Sequence, residues 1–386
     1  MGGQSVVRAW LAFKLTESEF SLGMVMFAVA IPMFFLGPIG GVVADRMDRR
    51  NLIVWGQLAV FLSEVVILLL IISDHLKFWH LLCSAGVNGC VFPFIMPARN
   101  AIIVNIVGKF GLGSALALNM AGMNMTRVLG PAAAGFLIDA AGVANTYILG
   151  VLLYGVGLLC MIGVESVHPS SEMQRTSPGR SIVEGFKYVR DNRLVLVLLL
   201  FGLVPMFLAM PFQNLLVVFA EKIWDVGSRG LGLLSATMGI GGVVGSFWVA
   251  TLGNTQRRLR RMMISMSAFG IFLFCFAVSP YFLLGLSLVF IANVFASIYN
   301  TLNNTAIQLV IPDQVRGRIS SFLMMSFSFP LLGTLPVAAI AEAYGAPFAV
   351  GLTSVLAVLV AFFFYILSPA LRNMDAEVRV AMTDEV

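Results

Sequence analysis

Long apolar runs recur along the chain and are separated by short polar segments. A membrane-spanning helix needs roughly 20 predominantly apolar residues, and eleven runs come close to or exceed that length. Numbered as spans 2 to 12, they cover 20–44, 51–73, 78–98, 114–138, 142–164, 194–220, 229–252, 261–279, 281–305, 318–342 and 346–369. The pattern predicts an all-α membrane protein.

The segment that precedes span 2, GGQSVVRAWLAF, is apolar and helix-like but short. Twelve residues of helix rise only about 18 Å, which is less than the hydrocarbon core of about 30 Å. We therefore expect the chain to begin part-way through a first span. The predicted fold has eleven full spans and this stub of helix 1.

Basic residues mark one side of the membrane. Alternate loops, together with the C-terminal tail, carry 18 of them, and the remaining loops carry only four. Because basic loops face the cytoplasm, the first set and the C-terminus are predicted to be cytoplasmic in a multi-pass protein of the inner (cytoplasmic) membrane. We call the two sides the predicted inner end and the predicted outer end.

One long polar segment divides the chain into two parts. The predicted organisation is an N-terminal helical half at 1–166, a cytoplasmic linker at 167–193, a C-terminal helical half at 194–371 and a cytoplasmic tail at 372–386. The linker places apolar side chains on one side of a short segment, which favours an amphipathic helix on the membrane surface over a solvated loop. These side chains are Ile182, Val183, Phe186 and Val189.

The two halves repeat weakly. Gly37 and Gly41 of span 2 correspond to Gly241 and Gly245 of span 8 at an offset of 204 residues. Internal symmetry between two six-helix halves is typical of secondary transporters, whose substrate site lies near the membrane midplane. The repeat therefore predicts a transporter.

Composition and motifs exclude several other classes of protein. The chain is 59% hydrophobic and only 11% charged, whereas soluble domains are about 25% charged. It has no phosphate-binding loop, and its four cysteines and three histidines have no metal-ligand spacing. We predict no enzyme activity, cofactor, metal or nucleic-acid partner; the basic pI reflects membrane topology, and the expected state is a monomer.

Five charges follow span 2 within six residues, in the segment ADRMDRRN. Topology alone accounts for the arginines, because basic residues gather at the cytoplasmic end of a span. It does not account for Asp45, because a carboxylate at the C-terminal end of a helix opposes the helix dipole. Asp45 needs a cation or a helix N-terminus as its partner, which favours a gating or coupling role over a simple helix stop.

The order Gly41, Asp45, Arg46, Arg49 and Arg50 resembles the loop between helices 2 and 3 of the major facilitator superfamily. The resemblance covers the chain from its second residue onward and implies two six-helix halves. The segments WLAFKLTESEFSLG and PDQVRGRISSF are similar to the branch of twelve-helix exporters that includes the enterobactin exporter and lysophospholipid transporters.

The chain departs from the superfamily pattern in two places. Asp48 stands where many members have glycine. The loop after span 8, TLGNTQRRLRR, keeps basic residues but lacks an acid that matches Asp45. The resemblance therefore implies that only the first half carries a complete charge latch, one that closes the inner side.

Span 5 contains the segment RVLGPAAAG. Its residues Gly130, Pro131 and Gly135 are similar to the GPxxGG motif of superfamily antiporters and exporters, although Ala134 replaces the first of the paired glycines. Proline removes a backbone hydrogen bond and small residues let helices approach closely, so a bend and a helix interface are favoured. The resemblance implies export rather than import.

Two charges lie deep in apolar sequence, Glu64 in span 3 and Arg127 in span 5. A charge at the centre of a bilayer costs about 2.5–3.5 kcal/mol on insertion scales, so each is a candidate functional residue. Glu64 is a candidate for proton coupling, with a structural hydrogen bond as the alternative. Arg127 is a candidate partner for Glu64, for an anionic substrate or for an acid on helix 1.

Amides and hydroxyls at helical spacing are candidates for substrate contacts. The resemblance implies that spans 1, 4, 7 and 10 line a central cavity, whereas hydrogen bonding between helices is the alternative. The candidates are Gln213, Asn214, Asn293, Ser297 and Asn300.

The sequence thus predicts a secondary active transporter, a proton-coupled exporter of hydrophobic or amphiphilic small molecules that works by alternating access. Its predicted partners are a small-molecule substrate, protons and membrane lipid. A lysophospholipid or siderophore carrier is the competing transporter hypothesis. A membrane scaffold or sensor without transport activity is the alternative from another class.

Overall fold

The computed structural model describes residues 2–44, 46–164, 187–251, 257–311 and 329–383, and Asp45 lies outside these ranges. Within them the regular structure is helical and contains no strand. The helices are α1 (Gly2–Thr16), α2 (Glu19–Ala44), α3 (Arg49–Ile72), α4 (Phe78–Ile162), α5 (Arg193–Val204), α6 (Phe212–Val218), α7 (Gly227–Thr251), α8 (Arg258–Ala277), α9 (Phe282–Val310), α10 (Phe329–Tyr344), α11 (Ala346–Leu367), α12 (Pro369–Arg372) and α13 (Met374–Thr383).

Polar residues and tight turns end the helices on both sides of the bundle. The carboxylate of Asp48 accepts a hydrogen bond from the backbone N–H of Asn51 at 2.9 Å and so caps α3, which satisfies a donor that the first helical turn leaves unpaired. At the predicted outer end, Glu17, Asp74 and Asp225 adopt φ values of 51°, 56° and 49°. Positive φ is uncommon outside glycine and marks sharp changes of chain direction.

The helical run α4 extends over 85 residues but is not one straight rod. The hydroxyl oxygens of Ser63 in α3 and Ser84 in α4 lie 3.4 Å apart. The next residue of α3, Glu64, accepts a hydrogen bond from Tyr147 of α4. Ser84 and Tyr147 would be about 95 Å apart in a straight helix, so α4 folds back along α3. Gly142, with φ of 81°, lies where predicted spans 5 and 6 meet.

In the described ranges, nine helices are long and apolar enough to cross a membrane. One of them, the 41-residue stretch Gly122–Ile162, covers most of predicted spans 5 and 6. A tenth apolar helix, Phe329–Tyr344, has 16 residues and is the described part of span 11. The helices confirm the predicted all-α membrane fold.

Helices from the two ends of the sequence pack into one core. α2 packs on α10, where a Cβ atom at Gly23 would lie only 2.7 Å from the Cβ of Ala338, and α4 packs on α7. A contiguous set of buried apolar side chains runs from Val7 in α1 to Val378 in α13. The packing brings the N-terminal and C-terminal spans together.

α2 approaches α4 closely at one glycine. A Cβ atom at Gly40 would lie 2.1 Å from the carbonyl oxygen of Pro93 in α4. The packing of α2 on α4 therefore leaves no room for a side chain at this position.

The segment predicted as a cytoplasmic tail packs against the bundle. Met374 and Val378 of α13 are buried, and Asp375 accepts a hydrogen bond from the backbone N–H of Leu259 at 3.2 Å. Leu259 lies in the first turn of α8. The loop before α8 is the loop after span 8, which lacks an acid that matches Asp45. The C-terminal segment therefore supplies a carboxylate at the start of span 9.

Only the last part of the predicted linker helix is described. Residues 187–191 are helical and Val189 is buried. Ile182, Val183 and Phe186 lie outside the described residues. Asn192 then caps α5 through its side-chain oxygen, which accepts a hydrogen bond from the backbone N–H of Val195 at 3.3 Å.

Candidate functional site

A buried charge cluster lies between α1, α3 and α4. Arg8 of α1 forms an ion pair with one carboxylate oxygen of Glu64 in α3. Tyr147 of α4 donates its hydroxyl hydrogen to the other carboxylate oxygen. Glu64 and Tyr147 are 0% exposed and Arg8 is 7% exposed. We call these three residues the Arg8–Glu64–Tyr147 cluster.

The cluster lies well inside the apolar part of the bundle. Glu64 is eight residues from the end of α3 at Ile72, and Arg8 is eight residues from the end of α1 at Thr16, which places each about 12 Å along its helix from the predicted outer end. Tyr147 follows the turn at Gly142 by five residues. The three polar residues therefore lie at a similar depth in the membrane.

The charges in this cluster balance each other. Removal of one partner of a buried ion pair leaves the other charge uncompensated and lowers the stability of the protein by about 3–5 kcal/mol. The two oxygens of Glu64 each have a donor, and so the carboxylate is held by α1 and α4 at once. Any change in the charge of Glu64 therefore acts on the contact between these helices.

Gln4 extends the cluster by one turn of α1. It is 8% exposed, and its amide nitrogen and oxygen have no hydrogen-bond partner among the described residues. A Cβ atom at Gly150 would lie 2.1 Å from the Gln4 amide nitrogen, so the glycine leaves room for the amide. Unpaired buried polar atoms next to a charged cluster give this region spare hydrogen-bonding capacity.

Arg127 lies apart from Glu64. Its side chain is exposed, and within the described ranges it forms no ion pair. The carbonyl oxygen of Arg127 lies against α7, 3.4 Å from the position of a Cβ atom at Gly239. The pairing with Glu64 that the sequence left open is therefore absent here, and Arg8 takes that place.

The sequence missed Arg8 because it occurs in the short segment before span 2. A signal was present: Arg8 interrupts an apolar helical pattern in the same way as Glu64 and Arg127. An acidic and a basic residue that both lie within apolar sequence are expected to form an ion pair inside the membrane. Which base pairs with Glu64 depends on helix packing, and only the structure shows it.

The charged loop after α2 is described only in part. Arg46 is exposed, and Arg49 begins α3 and is 5% exposed. Arg50 donates to the carbonyl oxygen of Ile162 at 2.5 Å, and this contact ties the start of α3 to the end of α4. Gly41 lies in α2, whereas Asp45 lies outside the described residues.

The glycine–proline motif lies at a crowded helix crossing. A Cβ atom at Gly135 would lie 2.5 Å from the carbonyl oxygen of Ser228 and 2.7 Å from the Cα of Gly232, both in α7. On α1, a Cβ atom at Gly3 would lie 2.9 Å from the carbonyl oxygen of Gly130. Pro131, between these contacts, is buried. The motif thus forms backbone contacts with two other helices.

Most of the predicted substrate contacts are occupied by bonds within the protein. Asn214 donates to the hydroxyl of Thr334 at 3.0 Å, and Ser297 donates to the carbonyl oxygen of Gly242 at 2.7 Å. Asn293 is buried and donates to the carbonyl oxygen of its own helix at Val289, 2.9 Å away. The bonds of Asn214 and Ser297 match the alternative of hydrogen bonding between helices.

Two other candidates have accessible side chains. Gln213 is exposed and its amide nitrogen lies 3.2 Å from the sulfur of Met210, whereas Asn300 is half-buried. Gln213 lies between two π-helical turns, Pro205–Ala209 and Phe219–Ile223, that interrupt span 7. Such turns frequently occur at functional sites, and the hydropathy pattern gives no sign of them.

A second polar cluster joins distant parts of the chain at the predicted outer end. The ammonium of Lys14 lies 2.6 Å from the carboxylate of Glu221. Glu342 accepts hydrogen bonds from the backbone N–H of Glu19 at 2.6 Å and from that of Phe20 at 3.1 Å. We call Lys14, Glu19, Glu221 and Glu342 the outer-end cluster. It connects the end of α1 and the start of α2 with the end of span 7 and with α10.

The chain resembles several bacterial transporters over most of its length. It is 22% identical to the staphyloferrin A transporter of Staphylococcus aureus, over 94% of this chain and 91% of that protein. It is 24% identical to the enterobactin exporter EntS of Shigella boydii, with coverage of 79% and 73%. It is 22% identical to macrolide efflux protein A of Streptococcus pyogenes, with coverage of 85% and 83%.

Solved structures agree with the fold. The structure of a mutant of the nucleoside transporter NupG superimposes with a TM-score of 0.74 at 14% identity and covers 94% of each chain. A family model described as transmembrane secretion effector matches residues 3–384. The multi-pass helical fold, the similarity to exporters and this match lead to one assignment. The chain belongs to the transmembrane secretion effector family of major facilitator transporters.

Proposed function

We propose that the protein is a proton-coupled exporter of hydrophobic or amphiphilic small molecules and that it works by alternating access. The observation that carries the proposal is the Arg8–Glu64–Tyr147 cluster, buried inside the fold of a transporter family. A proton on a carboxylate whose partner is a buried arginine removes the negative charge that compensates the arginine. Protonation at this site therefore acts on the position of α1.

The proposed step begins when a proton binds one oxygen of Glu64. The neutral acid no longer compensates the charge of Arg8, and the unpaired guanidinium moves towards water or towards another anion. α1 moves with it, because Arg8 has no freedom to leave the interior alone. When the proton is released on the other side of the membrane, the ion pair forms again and α1 returns.

α1 connects this step to the outer end of the protein. Lys14 follows Arg8 by six residues, a rise of about 9 Å, and binds Glu221 of span 7. A shift of α1 therefore alters a contact between the two halves at the predicted outer end. In the proposed cycle, the loop of Asp45, Arg46 and Arg49 closes the inner end in the alternate state.

The proposed orientation in the membrane is inferred from the distribution of basic residues among the loops. The halves at 1–166 and 194–371 rock about a site near the midplane, in a monomer whose C-terminus lies in the cytoplasm. Gly130, Pro131 and Gly135 then act as a surface on which the halves slide. Gln213 and Asn300 remain candidates for substrate contacts, because their side chains are accessible.

The substrate class follows from the similar proteins and from Arg127. A macrolide efflux protein is among the relatives, which supports export of bulky, largely apolar molecules. Arg127 is exposed at a depth where lipid would make a charge costly, so it is expected to face an aqueous cavity. That placement favours a second candidate function, the transport of anionic molecules such as siderophores.

Flux into proteoliposomes tests the proposal. The probes are a labelled macrolide and iron-free staphyloferrin A, with vesicles that are acidic inside relative to outside. In an antiporter, protons that leave the vesicle drive uptake, so the gradient is expected to raise the rate several-fold. The Glu64→Gln variant is expected to lose this stimulation.

The matched control is Glu377→Gln, which removes an exposed glutamate of α13 and is expected to keep full stimulation. Gradient-driven uptake by Glu64→Gln at the rate of the parent protein would exclude Glu64 as the coupling site. Failure of the parent protein to move a broad panel of macrolides, siderophores and lysophospholipids would favour the scaffold or sensor hypothesis.

A further inference from the structure

A groove opens on the outside of the bundle at the predicted inner end. It lies between the first turn of α5 and the end of α11, has a volume of about 280 Å³, and is lined by Arg193, Val197, Phe363, Phe364, Ser368 and Ala370 among others. The groove is distant along the chain from the Arg8–Glu64–Tyr147 cluster and belongs to neither of the two polar clusters.

The part of this groove that lies along Val197 and Phe363, deeper in the membrane than Arg193, is apolar and faces lipid. Phe363 is 60% exposed and its neighbours Phe362 and Leu367 are 52% and 61% exposed. Large apolar side chains of a spanning helix that are this exposed lie against acyl chains. A ligand in the groove must therefore present apolar surface on the side of Val197 and Phe363.

The mouth of the groove is cationic. Arg193 is exposed on the first turn of α5, and in the described ranges it forms no ion pair. Arg372 lies on the short helix α12, which packs against α5. Arg190, three residues before Arg193, differs because it pairs with Asp191 at 3.4 Å. Arg193 therefore brings a charge without an ion-pair partner in the described ranges to the groove.

Ser368 adds a polar group at the same level. Its side-chain oxygen accepts a hydrogen bond from the backbone N–H of Leu371 at 3.2 Å. The hydroxyl hydrogen is then available for an acceptor that enters the groove. An arginine, a serine hydroxyl and an apolar channel that leads towards the membrane interior match the order of groups in a phospholipid: phosphate, glycerol and acyl chain.

We propose that this groove binds an anionic phospholipid of the inner leaflet, with the headgroup phosphate at Arg193 and one acyl chain along Val197 and Phe363. Basic sites between helices on the cytoplasmic side recognise anionic headgroups. The volume is slightly below the range of about 300–1,000 Å³ found for pockets that enclose a small ligand. The groove therefore takes the upper part of the lipid, and the rest of the acyl chain lies over the exposed phenylalanines.

Thermal unfolding and native mass spectrometry of the full chain in detergent micelles test the site. Phosphatidylglycerol is compared with phosphatidylethanolamine of identical acyl chains and with inorganic phosphate. Phosphatidylglycerol is expected to raise the unfolding temperature and to remain bound to the protein, whereas the other two have little effect. Since one cation at a membrane surface changes lipid binding about five-fold, Arg193→Gln is expected to weaken phosphatidylglycerol binding by about that factor.

Two further variants separate the effect of charge from the effect of shape at the groove. Arg190→Gln, which removes a paired arginine at the same boundary, is expected to bind phosphatidylglycerol like the parent protein. Ala370→Leu partly fills the groove and is expected to weaken binding while all charges remain. Equal retention of both phospholipids, or unchanged retention in Arg193→Gln, would overturn the proposal. Stabilisation by inorganic phosphate alone would also overturn it, because the groove would then hold an ion rather than a lipid.

Discussion

Glu64 connects three helices through its two carboxylate oxygens. Arg8 occupies one oxygen and Tyr147 the other, and all three residues are almost fully buried. A side chain in such an arrangement has few ways to change without an effect on its neighbours. At the scale of single residues, the consequence is a strong energetic dependence of each charge on the other.

A double-mutant cycle measures this dependence. Glu64→Gln leaves Arg8 as an unpaired buried charge, and Arg8→Gln leaves Glu64 unpaired, so each single variant is expected to lose about 3–5 kcal/mol of stability. The double variant, in which two neutral amides face each other, is expected to lose less than either. Chemical unfolding in detergent micelles provides the comparison. Additive losses in the double variant would show that the two side chains do not depend on each other.

At the scale of helices, the contact between α4 and α7 has almost no free space. Gly135 faces Gly232 and the carbonyl oxygen of Ser228 at distances that leave no room for a methyl group. Close backbone approach of this kind is typical of small residues at membrane helix interfaces. The interface therefore tolerates movement along its surface but not an added side chain.

Gly135→Ala and Gly157→Ala form a matched pair of variants. Alanine in place of glycine stabilises a helix by up to about 1 kcal/mol where space permits. A Cβ atom at Gly157 would meet nothing within 4 Å, whereas one at Gly135 would lie 2.5 Å from Ser228. Thermal unfolding is expected to show a loss of stability for Gly135→Ala and little change or a gain for Gly157→Ala. The opposite order would contradict the observed packing.

Several helices were predictable from the sequence because hydropathy alone determines which segments enter the membrane. The contacts that give the site its chemistry were not predictable in this way. The pairing of Glu64 with Arg8 rather than Arg127 depends on which helices touch and which way they face. The close approach at Gly40 and the carboxylate that Asp375 supplies to α8 also depend on packing between segments far apart in sequence.

At the scale of the whole molecule, the outer-end cluster holds distant spans together. Lys14 contacts Glu221, and Glu342 accepts hydrogen bonds from the first backbone N–H groups of α2. A carboxylate at a helix N-terminus is favoured by the helix dipole. Because each of these contacts is partly exposed, each contributes on the order of 1 kcal/mol or less. These contacts therefore add only moderately to the stability of a state in which the outer end is closed.

Variants of the outer-end cluster are expected to open that end. Spin labels at His75→Cys and Tyr281→Cys, after the four native cysteines are replaced by serine, report the separation of two exposed outer loops. Glu342→Gln is expected to shift the populations towards longer distances by up to about five-fold, the equivalent of 1 kcal/mol. Lys77→Gln, which removes an exposed lysine outside the cluster, is the control. An unchanged distance distribution in Glu342→Gln would show that Glu342 does not hold the outer end closed.

In the proposed cycle, a proton on Glu64 releases α1 and so changes which end of the protein is open. The same label pair tests it without a substrate, as pH is lowered. The labelled protein also carries Glu342→Gln, because the carboxylate of Glu342 in the outer-end cluster would otherwise respond to the change in pH. Acid is expected to shift the distances between the labels in this protein, and added Glu64→Gln is expected to give the acid-like distribution at every pH. If the variant with Glu64→Gln kept the same pH-dependent shift, protonation of Glu64 would not be the event that moves α1.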